Sequence, residues 1–330
     1  MDFTLKIYGK LLRTLQSQGF SFYTVAEYAE ADKERQQTSP GGLNPKSEIR
    51  TGAERSSPKV NPQFILLRHD VEDHYPNALA MARIQHNQGI RGSYYFRIYP
   101  KDENERIIRE IAALGHEIGY HYDDLSECKG DYEKAIRRFE KNLQYLRQFG
   151  PVTSATMEGA PLSEFDNRML WLGRVKELVG SSEYVEGSTQ PEISNQLSAT
   201  YYILPTRYSD LPKFNYKDFG IKTEPYFDLD FNEIFYLTDT GRCWDGQRFN
   251  VRDKALGQSP VTNPEFLKLR FRHTHDIIRA VNEGRFPGKV MMNFHPQRWN
   301  DAFFPWLREL VWQNVKNQGK RVLVAVRGRC

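Results

Sequence analysis

A continuous apolar run at residues 64–67 (FILL) leads directly into the charged sequence 68–73 (RHDVED). An apolar run without polar alternation is typical of a strand that is covered on both faces, as in a parallel sheet. Residues 76–88 then carry apolar side chains at helical spacing, so a strand–helix unit is predicted. In α/β barrels the carboxyl ends of strands carry the chemistry, which makes Asp70 and Glu72 candidate functional residues. Capping of the following helix is the alternative role for acids at this place.

The alternation of strands and helices continues along the chain and predicts an α/β fold. An amphipathic helix over 3–18 and a short helix over 25–29 precede the first strand and form an N-terminal helical extension. Further strands are predicted at 93–98, 117–121, 152–157, 201–204, 219–221, 234–237 and 290–295, and helices at 103–114, 131–149, 266–281 and 302–315.

The stretch between the N-terminal helices and the first strand is polar and shows no apolar period. It contains the Ser-, Pro- and Gly-rich pieces 36–42 and 54–58, which cannot bury much apolar surface. The predicted organisation is therefore N-terminal helices at 1–30, a flexible polar linker at 31–63, and one barrel domain with a C-terminal helix at 64–330.

Composition argues against several classes of function. The formal net charge is only +4 and no dense basic block occurs, so nucleic acid is not an expected partner. Three cysteines, widely spaced and without a CxxC pair, predict neither a disulfide framework nor a zinc knuckle, and fit a reducing cytoplasm. No stretch is apolar enough to span a bilayer or to act as a signal peptide, so a cytoplasmic protein without a membrane span is expected.

Two histidines lie at the ends of predicted strands. His121 ends the strand 117–121, and His295 ends the last strand, where Pro296 prevents further ladder pairing. We expect both imidazoles to lie level with Asp70 at one edge of the sheet. His116 lies five residues before His121 and therefore faces the opposite side, where it holds the turn from helix into strand. A buried histidine that bonds a carbonyl is the structural alternative for His295.

Three ordered motifs resemble the polysaccharide deacetylase superfamily, also called the NodB-homology or carbohydrate esterase family 4 superfamily. They are 68–72 (RHDVE), 115–122 (GHEIGYHY) and 293–299 (NFHPQRW). The chain is most similar to a branch with an R-H-D-V-D opening and an H-P-x-R-W ending, which is linked to polysaccharide biosynthesis. The resemblance covers residues 64 to about 315. It implies a distorted (β/α)7 barrel, a divalent metal such as Zn²⁺, and an N-acetylated carbohydrate as the substrate.

Amide hydrolysis needs a metal to polarise the carbonyl, a base for the water and an acid for the leaving amine. The resemblance implies that Asp70 and Glu72 are the base and a metal ligand. Asp70 is taken as the catalytic base and Glu72 as the ligand, although the motif leaves the opposite assignment open. Glu72 stands where the branch has Asp. His121 is implied as a metal ligand and His295 as the catalytic acid.

One position departs from the family's metal motif. The second histidine of that motif is expected four residues after His121, where this chain has Leu125. A catalytic zinc site ordinarily has three protein ligands and one open position, so this change predicts a weak or absent site unless another group completes it. Asp124 and Glu158 are the candidates for that third ligand. Replacing Leu125 by histidine is expected to tighten metal binding if the family's geometry is kept.

Four residues are candidate contacts to the sugar. The resemblance implies that Trp299 walls the sugar, and Arg168 lies in a segment that resembles another loop of the branch, as does Asp245. Tyr122 offers an aromatic face near a strand end, and Glu158 follows the fourth strand. Core packing for the aromatic residues and helix capping for the charged ones are the alternatives.

Two functions therefore remain open from the sequence. The first is a metal-dependent deacetylase that acts on a sugar or a precursor of a surface polysaccharide. The second is a catalytically degenerate barrel that serves as a carbohydrate-binding or accessory protein of polysaccharide biosynthesis. Leu125 favours the second function. The acids and histidines at successive strand ends favour the first, because a protein without chemistry has little need for them there.

Overall fold

The computed structural model describes residues 1–38, 61–160, 163–171, 213–244 and 263–327. Their seven strands are all parallel and form one curled sheet with the shape of a half-barrel, in the order β5-β4-β3-β2-β7-β6, with β1 paired to β2. The α/β class is thus confirmed, whereas a closed (β/α)7 barrel is not. The strands are β1 Ser21–Tyr23, β2 Phe64–Val71, β3 Ser93–Phe96, β4 Glu117–Tyr122, β5 Ala155–Met157, β6 Phe235–Thr238 and β7 Lys289–Phe294.

Helices follow most of these strands and pack along the sheet, as parallel connections require. Short 3₁₀ segments lie at Asn167–Trp171, Tyr216–Phe219 and Pro296–Arg298. The α-helices are α1 Leu5–Ser17, α2 Val25–Thr38, α3 Tyr75–Asn87, α4 Asp102–Ala113, α5 Asp124–Glu127, α6 Tyr132–Arg147, α7 Pro225–Asp228, α8 Pro264–Lys268, α9 Thr274–Asn282 and α10 Phe303–Arg327. No helix in this part of the chain is both long and apolar enough to cross a membrane.

Several predicted elements differ in the structure, among them the helix predicted at 302–315, which continues to Arg327. The strand predicted at 219–221 is wrong, because a 3₁₀ turn ends there at Gly220, whose φ is 75°. The helix predicted at 266–281 is two helices, since His273 and Asp276 form a capping box that starts α9 anew. The helix predicted at 25–29 continues to Thr38, into the stretch assigned to the linker. The strand predicted at 201–204 and linker residues 39–60 lie outside the described residues.

Strand β2 is the centre of the sheet and is buried along its whole length. It pairs with β7 over 64–69 and with β3 over 68–71. Because successive side chains of a strand point to opposite faces, Arg68 and Asp70 share one face and His69 takes the other. The His69 ring stacks on Tyr94 with a centroid distance of 4.2 Å, and its burial lowers its pKa to about 3. His69 is therefore a core residue, and the opposite face carries the charged pair.

Strand β4 passes so close to β3 that only glycine fits at position 119. A Cβ built on Gly119 would overlap the ring of Tyr95, which is fully buried and cannot move aside. Replacing Gly119 by alanine is therefore expected to lower the free energy of unfolding by about 1–3 kcal/mol. Urea unfolding measures this change. Gly159 is the matched control, because its Cβ would meet no atom within 4 Å, and an equal midpoint shift for both variants would contradict the prediction.

Candidate functional site

Four parallel strands bring polar side chains to one edge of the sheet. Parallel strands place their carboxyl ends together, so residues that follow them meet at the same edge. The four are Glu72 after β2, His121 within β4, Glu158 after β5 and His295 after β7. Nε2 of His121 lies 3.1 Å from Oε2 of Glu158, and Nε2 of His295 lies 3.4 Å from Oε1 of Glu72. The predicted convergence of the first-motif acids with His121 and His295 is confirmed.

Glu72, His121 and Glu158 form a cluster suited to a metal ion. Each offers one ligand atom, and these atoms all lie within 4.8 Å of one another. Two carboxylate oxygens and one imidazole nitrogen are donors that Zn²⁺ and related divalent ions accept. Glu158 therefore stands at the place where a third ligand was sought, one of the two candidates that the sequence offered.

The two ring nitrogens of His121 face different partners. Nδ1 lies 3.1 Å from the carbonyl oxygen of Thr156, which can only accept, so Nδ1 carries a proton. Nε2 then faces Oε2 of Glu158, a buried oxygen that has no hydrogen bond despite the 3.1 Å distance. When the imidazole is unprotonated, the lone pair of Nε2 and Oε2 of Glu158 face one small space, which a cation between them would satisfy.

The charge on His121 follows the carboxylates around it. Burial lowers its pKa, but Asp70 at 4.0 Å and Glu158 at 3.1 Å outweigh this effect and raise the pKa to about 9. A protonated imidazole thus balances the acids when no other cation is present. Because a metal needs the unprotonated Nε2, binding of a metal here would release that proton.

Asp70 is held by two side chains of its own sheet. Nε and Nη2 of Arg68 each donate to one of its oxygens at 2.8 Å, and Nδ2 of Asn293 donates to Oδ2 at 2.8 Å. Burial alone would raise the pKa of Asp70, but the guanidinium of Arg68 and the nearby His121 hold it well below its usual range. Asp70 is therefore a fixed carboxylate, ionised at neutral pH, beside the metal-type cluster.

His295 is oriented by Asp239, which lies one residue beyond β6. Oδ1 of Asp239 accepts from Nδ1 of His295 at 2.6 Å, and Oδ2 accepts from the backbone N–H of His295 at 3.0 Å. Arg298 and the indole of Trp299 also donate to Asp239, each at 2.6 Å. Although burial raises it, Arg298 and His295 together lower the pKa of Asp239. Nε2 of His295 is thereby aimed at Glu72, in the arrangement of an acid–base histidine.

Glu72 belongs to the cluster with His121 and Glu158 and also faces His295. Its Oε1 faces His295, and its Oε2 accepts from Nε2 of Gln297 at 2.9 Å. Burial and the nearby carboxylate of Glu158 raise the pKa of Glu72. Two acids that repel each other across a small space share a preference for a bound cation, which again fits a divalent ion.

Asp124 lies outside this cluster. Its carboxylate accepts from the Tyr120 hydroxyl at 2.8 and 3.0 Å and from Arg138 at 2.6 Å. Burial raises its pKa to about 7 even though Arg138 opposes this effect. Leu125, at the place of the family's second histidine, is buried in the main hydrophobic core. A histidine introduced there would enter apolar packing, so the expected gain in metal binding from Leu125→His loses its structural basis.

The residues predicted to contact sugar pack against protein in this structure. The Tyr122 ring is fully buried against Phe139 and Trp171. Trp299 is also fully buried, beside Tyr8, and uses its N–H on Asp239.

Arg168 is buried and forms an ion pair with Asp166, with Nη2 3.0 Å from Oδ2. Its guanidinium also lies 5.8 Å from the centroid of the Tyr226 ring. Sugar contacts by Tyr122, Trp299 and Arg168 remain predictions, as does the role of Asp245, which lies outside the described residues. His116 bonds only backbone, at Gly92 and Ala82, as its predicted structural role requires.

Sequence reasoning missed four members of the site: Arg68, Asp239, Asn293 and Gln297. Two signals were available. Arg68 is two residues before Asp70 in a strand and therefore shares its face. Asp239 directly follows the predicted strand 234–237, which is the same signal that singled out Asp70. Nothing in the sequence around Asn293 and Gln297 indicates that they lie near the acids. Only the pairing of β7 with β2 brings them there.

Comparisons of this chain with protein-family models, with curated proteins and with solved structures found no match. The assignment of a function therefore rests on the motifs and on the geometry described above.

Proposed function

We propose that this protein is a metal-dependent deacetylase that removes the acetyl group from an N-acetylated sugar or surface-polysaccharide precursor, on a distorted (β/α)7 barrel. One observation carries the proposal. A metal-type cluster of Glu72, His121 and Glu158 lies next to a histidine whose outer nitrogen is aimed at that cluster by a buried aspartate. Metal-assisted hydrolysis of an amide requires these two parts side by side.

The metal would be held by Glu72, His121 and Glu158. When bound, a divalent ion there supplies polarisation of the acetyl carbonyl and activation of the attacking water. Leu125 does not prevent this, because Glu158 from the end of β5 provides the third donor.

The remaining steps belong to the protein's own groups. Asp70, ionised and fixed by Arg68, is the candidate to take the proton of the attacking water, with Glu72 as the alternative. His295, with Nδ1 held by Asp239, delivers a proton from Nε2 to the leaving amine. The buried Asp239 stabilises the imidazolium before that transfer, as such a carboxylate does in other acid–base pairs.

One observation favours the second function, a carbohydrate-binding or accessory protein of polysaccharide biosynthesis without turnover. Both oxygens of Asp70 are already bonded, to Arg68 and Asn293, and its low pKa makes it a weak base. A protein that keeps the cluster but not the proton transfer would bind metal and sugar without releasing acetate. Metal affinity and acetate release together separate the two functions.

The metal site is tested by zinc affinity, measured by competition with a chelator. His121→Ala and Glu158→Gln are each expected to lower that affinity by more than about 100-fold. Loss of a residue that only hydrogen-bonds a metal ligand lowers affinity by up to about 100-fold, so a larger loss indicates that the residue binds the metal itself. Glu164→Gln is the matched control, because this exposed glutamate lies on the loop after β5 but outside the cluster. Asp124→Asn is also expected to keep the affinity.

Three outcomes would decide against parts of the proposal. If the wild type binds no divalent metal, the cluster is not a metal site and the catalytic function falls with it. If Asp124→Asn weakens zinc binding as much as Glu158→Gln does, the third ligand is misassigned. If zinc binds tightly but no acetate is released from N-acetylhexosamine oligomers or nucleotide sugars, the accessory function replaces the catalytic one.

A further inference from the structure

Helix α10 turns two polar side chains toward the rest of the protein. Its inward face, at positions 306, 310, 313 and 317, includes Gln313 and Asn317, which are only 5% and 8% exposed. Nδ2 of Asn317 donates to the carbonyl of Gly241 at 3.0 Å, and the indole of Trp306 donates to the carbonyl of Asp2 at 2.7 Å. This side of the helix is therefore docked by hydrogen bonds. A helix held only against its own core would turn its apolar side inward.

The apolar side of α10 faces solvent instead. Phe304 is 80% exposed, Val311 57%, Trp312 54% and Val315 59%. Their spacing at helical intervals gives a continuous stripe, which we call the outer face of α10, together with Phe303 and Leu307. These six account for most of the exposed large apolar side chains in the described residues. Such a contiguous patch marks a surface that binds something, whereas single exposed residues do not.

The charge of the chain is concentrated on the same helix. The helix contains five basic residues and one acidic residue, 5 − 1 = +4, and the whole chain has 46 − 42 = +4. The residues outside α10 are therefore neutral as a set. Arg308 and Lys316 are exposed, and Nζ of Lys316 lies 5.2 Å from the centroid of the Trp312 ring. Two exposed basic side chains, Arg308 and Lys316, thus accompany the exposed apolar stripe.

We propose that α10 binds the surface of an anionic lipid bilayer with its outer face. Phe and Trp prefer the boundary between headgroups and acyl chains, and neighbouring Lys and Arg are attracted to anionic headgroups. A second copy of the chain is a poorer occupant, because Arg308 and Lys316 of two copies would then lie in one interface. The helix would lie on the bilayer and not cross it, since no helix in the described residues is long and apolar enough to span a membrane. The proposal does not depend on the proposed function.

Vesicle sedimentation with the full chain tests this. The protein is expected to bind vesicles of phosphatidylcholine mixed with phosphatidylglycerol at least about tenfold more tightly than pure phosphatidylcholine, and added salt should weaken the binding. Trp312 reports insertion by a blue shift of its emission, because Trp171, Trp244 and Trp299 are buried already and Trp306 is half-buried on the inward face, with its indole bonded to the Asp2 carbonyl. The variant Trp312→Phe is expected to lose that shift.

Two variants and a control separate the contributions. Phe304→Ser combined with Val311→Ser, and Arg308→Glu combined with Lys316→Glu, are each expected to weaken vesicle binding about tenfold or more. Leu267→Ser on α8 is the matched control, because this leucine is 52% exposed and lies on another helix. Unchanged vesicle binding of both variants overturns the proposal. A wild-type dimer in light scattering that the serine variant converts to a monomer also overturns it, since a second copy then covers the face.

Discussion

Replacing Arg68 by leucine is expected to lower the free energy of unfolding by about 3–5 kcal/mol at neutral pH, because it leaves a buried carboxylate without its partner. The pair is almost inaccessible to water, with side chains 1% and 4% exposed, and Arg68 reaches both oxygens of Asp70. Because water hardly reaches the pair, solvent screens the interaction between Arg68 and Asp70 only weakly, and the loss of stability is expected in full. Chemical denaturation at neutral pH measures it.

The same substitution should change the dependence of stability on pH. Arg68 holds the folded pKa of Asp70 well below the unfolded value of 3.8, so the pair stabilises the fold above that value, and this contribution is lost as the pH falls. Without Arg68, burial raises the pKa, and a protonated Asp70 needs no cation. The difference between wild type and Arg68→Leu is therefore expected to be large at pH 7 and to shrink below about pH 4.

Arg83 provides the control for this experiment. It pairs with Glu110 at the surface, with side chains 56% and 31% exposed, so Arg83→Leu is expected to change stability by about 1 kcal/mol or less. Adding Asp70→Asn to Arg68→Leu should recover part of the loss, because the uncompensated charge is removed. If Arg68→Leu costs no more stability than Arg83→Leu does, the Arg68–Asp70 pair is not formed in the protein.

Replacing His295 by alanine is expected to reduce acetate release by a factor on the order of 10²–10⁴, which is the usual contribution of a positioned acid or base. Zinc affinity should stay within a few-fold of wild type, since His295 is not part of the Glu72–His121–Glu158 cluster. Asp239→Asn is expected to lower the rate as well, because an amide can turn its N–H toward Nδ1 and favour the wrong tautomer. Acetate release and chelator competition on the same preparations measure both quantities.

His86 is a suitable control for the loss of an imidazole, because it is exposed on α3 and bonds only the carbonyl of Leu114. His86→Ala should keep both rate and metal. If His295→Ala loses zinc together with activity, its role is ligation rather than proton transfer.

The sequence by itself determined the α/β class and the place of most strands. The apolar runs that became β2, β6 and β7 are too short and too continuous for helices, and local patterns of this kind survive in any tertiary context. Because successive side chains of a strand point to opposite faces, the spacing of two residues also predicts that Arg68, Asp70 and Glu72 share one side. The convergence of first-motif acids with His121 and His295 was predictable for the same reason, since parallel strands place their ends together.

Only the tertiary structure decided how those groups are paired. Glu158 rather than Asp124 meets His121, because β5 lies beside β4 in the sheet while α5 turns Asp124 toward Tyr120 and Arg138. Hydrogen-bond partners of a buried carboxylate depend on neighbours that are far apart in the chain, as with Asp70 and Asn293.

The contacts of Trp299, of Asp239 and of the outer face of α10 also depend on residues that are far apart in the chain, and the sequence therefore did not predict them. The position of Trp299 after the last strand indicates a site residue, but whether its ring meets solvent or the α1 side of the core depends on packing. The amphipathic pattern of α10 locates an apolar stripe, and it does not say which side of the helix docks. Sequence patterns record the local backbone and the side of an element, whereas contacts between distant elements decide which charges meet and which apolar surface stays exposed.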